Sequence, residues 1–377
     1  MSDDRAFWLA WSKVPGVGAV LQKRIYTEFG SLQTAWTATP EELETVEGIG
    51  QQSAIAICQH RNKLNVDRIL KDHESQNFLT PADSDYPQLL AEIPDPPPVL
   101  YYRGQIELMR DLDRQSGIAI VGTREPSEYG RRWTRKLSTT LAQHGFIVIS
   151  GLADGIDAEA HRSCLDVGGK TIAVLGTGVD LVYPPKNRQL YQQLSETGLA
   201  LSEYPAGTQP DRTHFPRRNR IVAALSRAVL VIEGSIKSGA LITANLANEY
   251  GRDVYALPGS LDNPRSAACL SLISKGAQII LGESELMEHL GTIPKLDHAK
   301  QIALPLIDLA PDLAEVLKAI SAIAQQSNYP SAPFDLIVQT TEMPTSTVSS
   351  SLLQLELLGL IAQVPGMRYQ IQEVTLQ

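Results

Sequence analysis

Cysteine is scarce in this chain: 377 residues hold only Cys58, Cys164 and Cys269, far apart in sequence. None belongs to a CxxC or Cys/His ligand pattern, which argues against a structural zinc and for a reducing compartment. Each reads as a small buried apolar residue, and no metal and no cofactor is expected. No apolar run reaches the length that crosses a bilayer. The N-terminus, MSDDRAFWLAWSK, lacks the basic start and unbroken apolar stretch of a signal peptide. The expected compartment is the cytoplasm, with no membrane partner. A positive balance is missing too: the formal net charge is −9, which speaks against binding polyanions over the whole surface. The first strand-to-helix loop lacks the G-x-G-x-x-G of a dinucleotide fold, since Gly122 is followed by Thr123, Arg124 and Glu125. An NAD-dependent oxidoreductase is therefore disfavoured.

What is present is a locally uneven charge. From Val121 to Lys136 five basic residues face Glu125 and Glu128, and from Pro205 to Arg227 five arginines face Asp211 alone. An acidic protein with two basic patches suits a polyanion held in a defined groove.

The chain divides into three parts. Residues 1–78 read as short helices broken by two similar turns, VPGVG (Val14–Gly18) and VEGIG (Val46–Gly50). Such turns can offer N–H groups to a phosphate, but Glu41, Glu42, Glu44 and Glu47 crowd the second, so a structural or protein-contact role is favoured. Thr80–Gly104 reads as a polar linker whose prolines, Pro94 and Pro96–Pro98, exclude a helix over that run. It opens the second part, 79–295. From Gly117 short apolar strands (GIAIVG, FIVISG, TIAVLG, LALSEY, AVLVIEG, DVYALPG, QIILG) alternate with helical stretches. That alternation predicts an α/β fold, an extended Rossmann-like parallel sheet buried on both faces. Glycines closing successive strands put small-residue loops along the carboxyl edge, where open α/β sheets bind ligands. The apolar stretch Ala267–Ile280 suits a subunit interface. Residues 305–377 read as a small helix-turn-helix with a β-wing. Its expected recognition helix, Thr345–Leu358, has no Lys or Arg, and the part holds Lys318 and Arg368 against seven carboxylates. Duplex reading needs positive charge at the phosphates, so a protein-contact role is expected.

Four loops carry the chemistry. In VGTREPSEYG, Gly122 permits a tight turn and Arg124 projects over the sheet edge. In LGTGVDLVYPPKNRQLY, Lys186 and Asn187 face a phosphate while Tyr183 offers a ring for a base. In FPRRNR, Arg217, Arg218, Asn219 and Arg220 form a third basic element. In EGSIKSGALITANL, Gly234, Ser235, Lys237, Ser238 and Gly239 precede a helix whose free N–H groups attract anions. The segment SGLADGIDAEAH holds Asp154, Asp157 and His161. Capping explains the carboxylates as well as catalysis does, and a lone histidine there reads as structural. Glu203 and Glu233, at strand ends, suit a carboxylate pair in hydrolysis or anchors for the neighbouring arginines. The loops supply no nucleophile, metal cluster or clear acid–base pair. They suit binding of phosphates and bases more than a reaction.

The consecutive motifs VGTR, SGLADGIDAEAH, TIAVLGTGVDLVYPPKN, SEYP, FPRRNRIVAALS and EGSIKSGALITANLANEYGRDVYALPG resemble the DNA-processing protein A (DprA, or Smf) family, in order along the whole chain. The resemblance implies a helical domain of helix-hairpin-helix or SAM-like type, then the Rossmann-like domain, then a winged-helix-like domain. It implies sequence-independent binding of single-stranded DNA, and loading of a RecA-type recombinase in natural transformation and homologous recombination. It also implies a homodimer formed through the Rossmann-like domain and no enzymatic activity. By the same resemblance Arg124, Lys186, the FPRRNR arginines and the Gly234–Gly239 loop contact DNA. The alternatives are a nucleotide-binding hydrolase of the phosphoribohydrolase type using Glu203 or Glu233, and a scaffold whose basic patches are solvated surface.

Overall fold

A computed structural model describes residues 4–112, 117–291, 310–326, 331–341, 343–358, 360–364 and 368–371. Contacts divide the chain into two compact units, 1–296 and 297–377.

The first unit is built on a nine-stranded sheet. Its strands are β1 (Phe78–Leu79), β2 (Leu100–Gly104), β3 (Gly117–Val121), β4 (Ile147–Ser150), β5 (Thr171–Val174), β6 (Leu199–Ser202), β7 (Ala228–Val231), β8 (Asp253–Ala256) and β9 (Gln278–Ile279). They lie in the order β1-β2-β6-β5-β4-β3-β7-β8-β9. The seven strands from β6 to β9 in that order are parallel, and β1 and β2 add an antiparallel edge. Alternate side chains enter opposite cores. Ala119 and Val121 of β3 and Val229 and Val231 of β7 pack in one cluster, while Ile118, Ile120, Ala228 and Leu230 pack in the other. A sheet buried on both faces needs this nearly all-apolar composition. The chain runs outward from β3 to β6 and then returns to β7 on the far side of β3. The carboxyl ends of β3 and β7 therefore form the crevice at which such sheets bind ligands.

The segment Thr80–Gly104 departs from the expected linker. It contributes a helix, Gln88–Glu92, that stops just before Pro94, and the strand β2, which pairs antiparallel with β6. Leu100 and Tyr101 are buried at that edge, so apolar burial overrides the loop-like composition around them.

Ahead of the sheet, six short helices over Asp4–Asp72 pack around Trp8, Trp11, Ile25 and Leu43. The two glycine turns lie at equivalent places, with Gly16 at φ 84° and Gly48 at φ 93°, values that favour glycine. In the second unit, helices Pro311–Gln326, Phe334–Thr341 and Thr345–Leu357 accompany β10 (Ala332–Pro333), β11 (Ile361–Val364) and β12 (Arg368–Ile371). These strands form a sheet in the order β10-β12-β11, a winged helix. In the stretch Ala267–Ile280, Ala268, Cys269, Leu272 and Ile280 are buried, and Ile279 on the edge strand β9 faces outward with the neighbouring Leu281. Among the described residues no helix is long and apolar enough to cross a membrane.

Candidate nucleic-acid interface

The loop after β3 is fixed from below so that its tip stands free. A Cβ on Gly122 would lie 2.5 Å from Ile156, so only glycine lets the turn pack on the helix Ile156–Leu165. Thr123 donates its N–H to the Glu233 carbonyl at 2.7 Å, and its own carbonyl accepts from Ile156 N–H at 3.2 Å. The buried Glu233 carboxylate accepts from Ser127 N–H at 2.8 Å and Ser127 Oγ at 2.5 Å, at the start of the helix Glu128–Gln143. Held this way, Arg124 is exposed. Its guanidinium lies 5.7 Å from the Phe215 ring centroid, and Phe215 lies 5.5 Å from the Tyr183 ring at 31°. Among the described residues no carboxylate reaches salt-bridge distance of Arg124. A cation and two rings thus line the carboxyl edge from β3 toward β5, beside the crevice, the combination that accepts a phosphate beside stacked bases.

The three arginines after Phe215 do not act together. They ride the helix His214–Ala224, which is buried nearly all round after its first turn. Only Arg217 faces solvent, at 56% side-chain exposure, with Glu203 3.3 Å away. Arg218 is buried. It donates to the carbonyls of Gly151 at 2.8 Å and of Val174, so it ties together the carboxyl ends of β4 and β5. Burial lowers its pKa to about 10, against the charge of Asp157, which holds it up. Arg220 is buried against both Glu203 oxygens, at 2.9 Å each, and Asp95 at 2.9 Å. The expectation that all three meet phosphates is corrected: two of them hold the edge together from beneath.

One asparagine is corrected likewise. Asn187 is buried and donates Nδ2 to the Leu152 carbonyl at 3.0 Å, bracing a non-glycine residue at φ 55°. Asn219 donates to the Gly239 carbonyl at 3.2 Å and accepts from Arg218 Nε at 3.3 Å. Lys186, 68% exposed, lies 2.9 Å from Asp154. After β7, buried Gly234 is tied to the next loop by its N–H to the Arg265 carbonyl at 2.6 Å. Ser235, Lys237 and Gly239 are exposed. Ser238 caps the helix Gly239–Glu249, its Oγ accepting from Ala240 N–H at 3.2 Å.

The remaining chemical candidates are internal. His161 is buried with Nδ1 2.7 Å from Thr171 Oγ1, and burial pushes its pKa down to about 3, with Arg218 adding to the shift. Asp157 accepts from Gly151 N–H at 3.1 Å and from Ala153 N–H at 3.4 Å, while burial pushes its carboxyl above the ordinary range. The three cysteines are free and buried. Among the described residues no cluster could hold a metal. Two aromatic contributors escaped the sequence reading: Phe215, and His214, which stacks on Tyr204 at 3.9 Å between centroids. Their signal was the HF pair directly ahead of PRRNR.

The family model for DNA recombination-mediator protein A matches residues 77–291, the sheet and all four loops. The chain belongs to that family. The model of the DprA winged helix domain matches residues 303–367. Protein Smf of Synechocystis is 49% identical over 98% of this chain and 99% of its own. The crystal structure of DNA processing protein A from Streptococcus pneumoniae superposes with a TM-score of 0.66 at 31% identity, covering 76% of this chain and 98% of that one. DNA processing protein A of Helicobacter pylori, described for its single-stranded DNA binding mode, gives 0.51 at 33% identity over 56% of this chain and 95% of that one.

Proposed function

We propose that this chain binds single-stranded DNA without sequence preference along the carboxyl edge of its sheet. The reading extends to handing the strand to a RecA-type recombinase in natural transformation and homologous recombination, in the cytoplasm. The observation that carries it is the ladder of Arg124, Phe215 and Tyr183 along the carboxyl edge from β3 toward β5. Lys186 and Arg217 flank it, each exposed and each paired with one carboxylate. The Lys186–Asp154 pair is largely exposed and contributes only about 0–1 kcal/mol, so a phosphate displaces it at small cost, and the buried Glu203 keeps Arg220 as its partner when Arg217 turns to a phosphate. The N–H groups opening the helix Gly239–Glu249, beside Ser235 and Lys237, supply further donors. Rings beside cations favour exposed bases over a closed duplex.

The role is binding, not catalysis. Glu203 and Glu233, the carboxylates a nucleotide hydrolase would use, are held by Arg217, Arg220 and Ser127. The protein acts as a homodimer through its Rossmann-like domain, a reading supported by the open edge of β9 with Ile279 and Leu281 exposed. Sedimentation of Leu281→Arg, expected as a monomer, tests the dimer. Fluorescence anisotropy of labelled oligo-dT against its duplex, across a salt series, tests the groove. Preference for the single strand, with log affinity falling by ~0.7 per neutralised phosphate per decade of salt, is expected. Equal affinity for both forms, or release of base or phosphate from nucleotides, would overturn the reading.

A further inference from the structure

A second basic feature lies outside the crevice. On the outer layer, the helices Glu128–Gln143 and Ile156–Leu165 bring Arg131, Arg135 and Arg162 around one carboxylate, Glu159. Glu159 is nearly buried, its side chain 10% exposed, whereas the three arginines are 38%, 49% and 51% exposed. Arg135 donates a hydrogen bond to Glu159 at 3.1 Å. Arg131 and Arg162 stand 3.8 Å from it, beyond hydrogen-bond reach. Among the described residues the one other carboxylate in ion-pair reach of the three, Glu128, is 87% exposed and also 3.8 Å from Arg131. Three guanidiniums therefore share two carboxylates, and among the described residues only Arg135 hydrogen-bonds one of them.

The arrangement is preorganised. The buried carboxylate holds the arginines in place by charge while spending little of their hydrogen-bonding capacity, which lowers the entropy lost when an anion arrives. Guanidiniums also match the two-oxygen face of a phosphodiester better than ammonium groups do. The position is equally specific. The helix bearing Arg131 and Arg135 begins at the loop that carries Arg124, and the helix bearing Arg162 begins at Gly155, where a Cβ would strike the Thr123 carbonyl. The cluster thus lies one to two helical turns, about 5 Å each, below the edge at which Arg124 stands.

We propose that Arg131, Arg135 and Arg162 form a second phosphate tract, which takes the backbone of a single strand where it runs out of the crevice past Arg124. This rests on the single-strand reading above. The tract acts only on strands longer than the crevice, so strand length separates the two ideas. The variant R131Q/R162Q keeps the hydrogen-bonded Arg135–Glu159 pair, and its unfolding midpoint checks the fold. Anisotropy is measured with a short oligo-dT of roughly 8 nucleotides and a long one of roughly 30, with oligonucleotide in excess. The expected result is unchanged affinity for the short strand and roughly tenfold weaker affinity for the long one, with a salt slope shallower by about 1.4, two phosphates' worth. R131K/R162K, which retains the charge, restores most of the long-strand affinity. Wild-type affinity of R131Q/R162Q for the long strand, or an equal loss on both lengths, would overturn the tract. Failure of the wild type to bind the short strand would overturn the crevice reading, and the tract with it.

Discussion

The carboxyl edge of the nine-stranded sheet and the winged-helix unit both belong to architectures that meet nucleic acid, yet their charges differ in sign. The edge presents Arg124, Lys186 and Arg217 to solvent. The recognition helix Thr345–Leu357 presents serines, Glu356 and an exposed Leu353, with no basic residue. Fold alone would assign the duplex-reading role to the winged helix. In the proposed reading charge places the nucleic acid at the sheet edge, because phosphate contacts supply most of the affinity. A second contrast runs through the edge itself, between the exposed cations and the buried arginines one layer below.

The largest effect tests that second contrast. Arg218→Ala leaves Asp157 without its charge partner and two strand-end carbonyls unpaired, and is expected to cost about 3–5 kcal/mol of stability, read from urea unfolding. Arg217→Ala, one residue away, leaves the unfolding midpoint nearly unchanged and weakens single-strand binding by about 1 kcal/mol. If Arg217→Ala destabilised and Arg218→Ala did not, the layering would be wrong.

Acid probes the buried layer further. His161 has a folded pKa of about 3, below its ordinary 6.5, so its stability contribution is complete above pH 6.5 and is lost as pH falls toward 3. Between pH 6.5 and 5 this costs about 2 kcal/mol, and His161→Gln should flatten that part of the unfolding profile. An unaltered profile would contradict the buried neutral histidine. The smallest effect belongs to the comparison of units: a chain ending at Gly291 should bind oligo-dT within about 0.5 kcal/mol of the full chain. A large loss on truncation would return the nucleic-acid role to the winged helix.

Much of this organisation is written in the chain. All seven parallel strands are legible: six are short apolar runs buried in the sheet, and β9, though exposed at the edge, lies in the apolar run QIILG. The strand β2 is not, since its apolar residues follow directly on Pro96–Pro98 and it is defined by pairing with β6, about a hundred residues later. At the site, the four loops and the exposure of Arg124 follow from position at strand ends. The division of labour among Arg217, Arg218 and Arg220 does not. A helix buried on nearly all sides gives no polar stripe to mark its outer face, and a buried arginine looks like an exposed one until Glu203, Asp95 and the strand-end carbonyls are in place. Asn187 is hidden for the same reason: it satisfies a distant backbone carbonyl.

The central claim concerns the exposed cations, and one double variant tests it most directly. Arg124→Ala with Lys186→Ala removes two charge-assisted phosphate contacts of about 1.5–3 kcal/mol each while leaving the buried layer intact. Anisotropy with oligo-dT should show binding nearly abolished at a wild-type unfolding midpoint. Wild-type affinity in that variant would contradict the account.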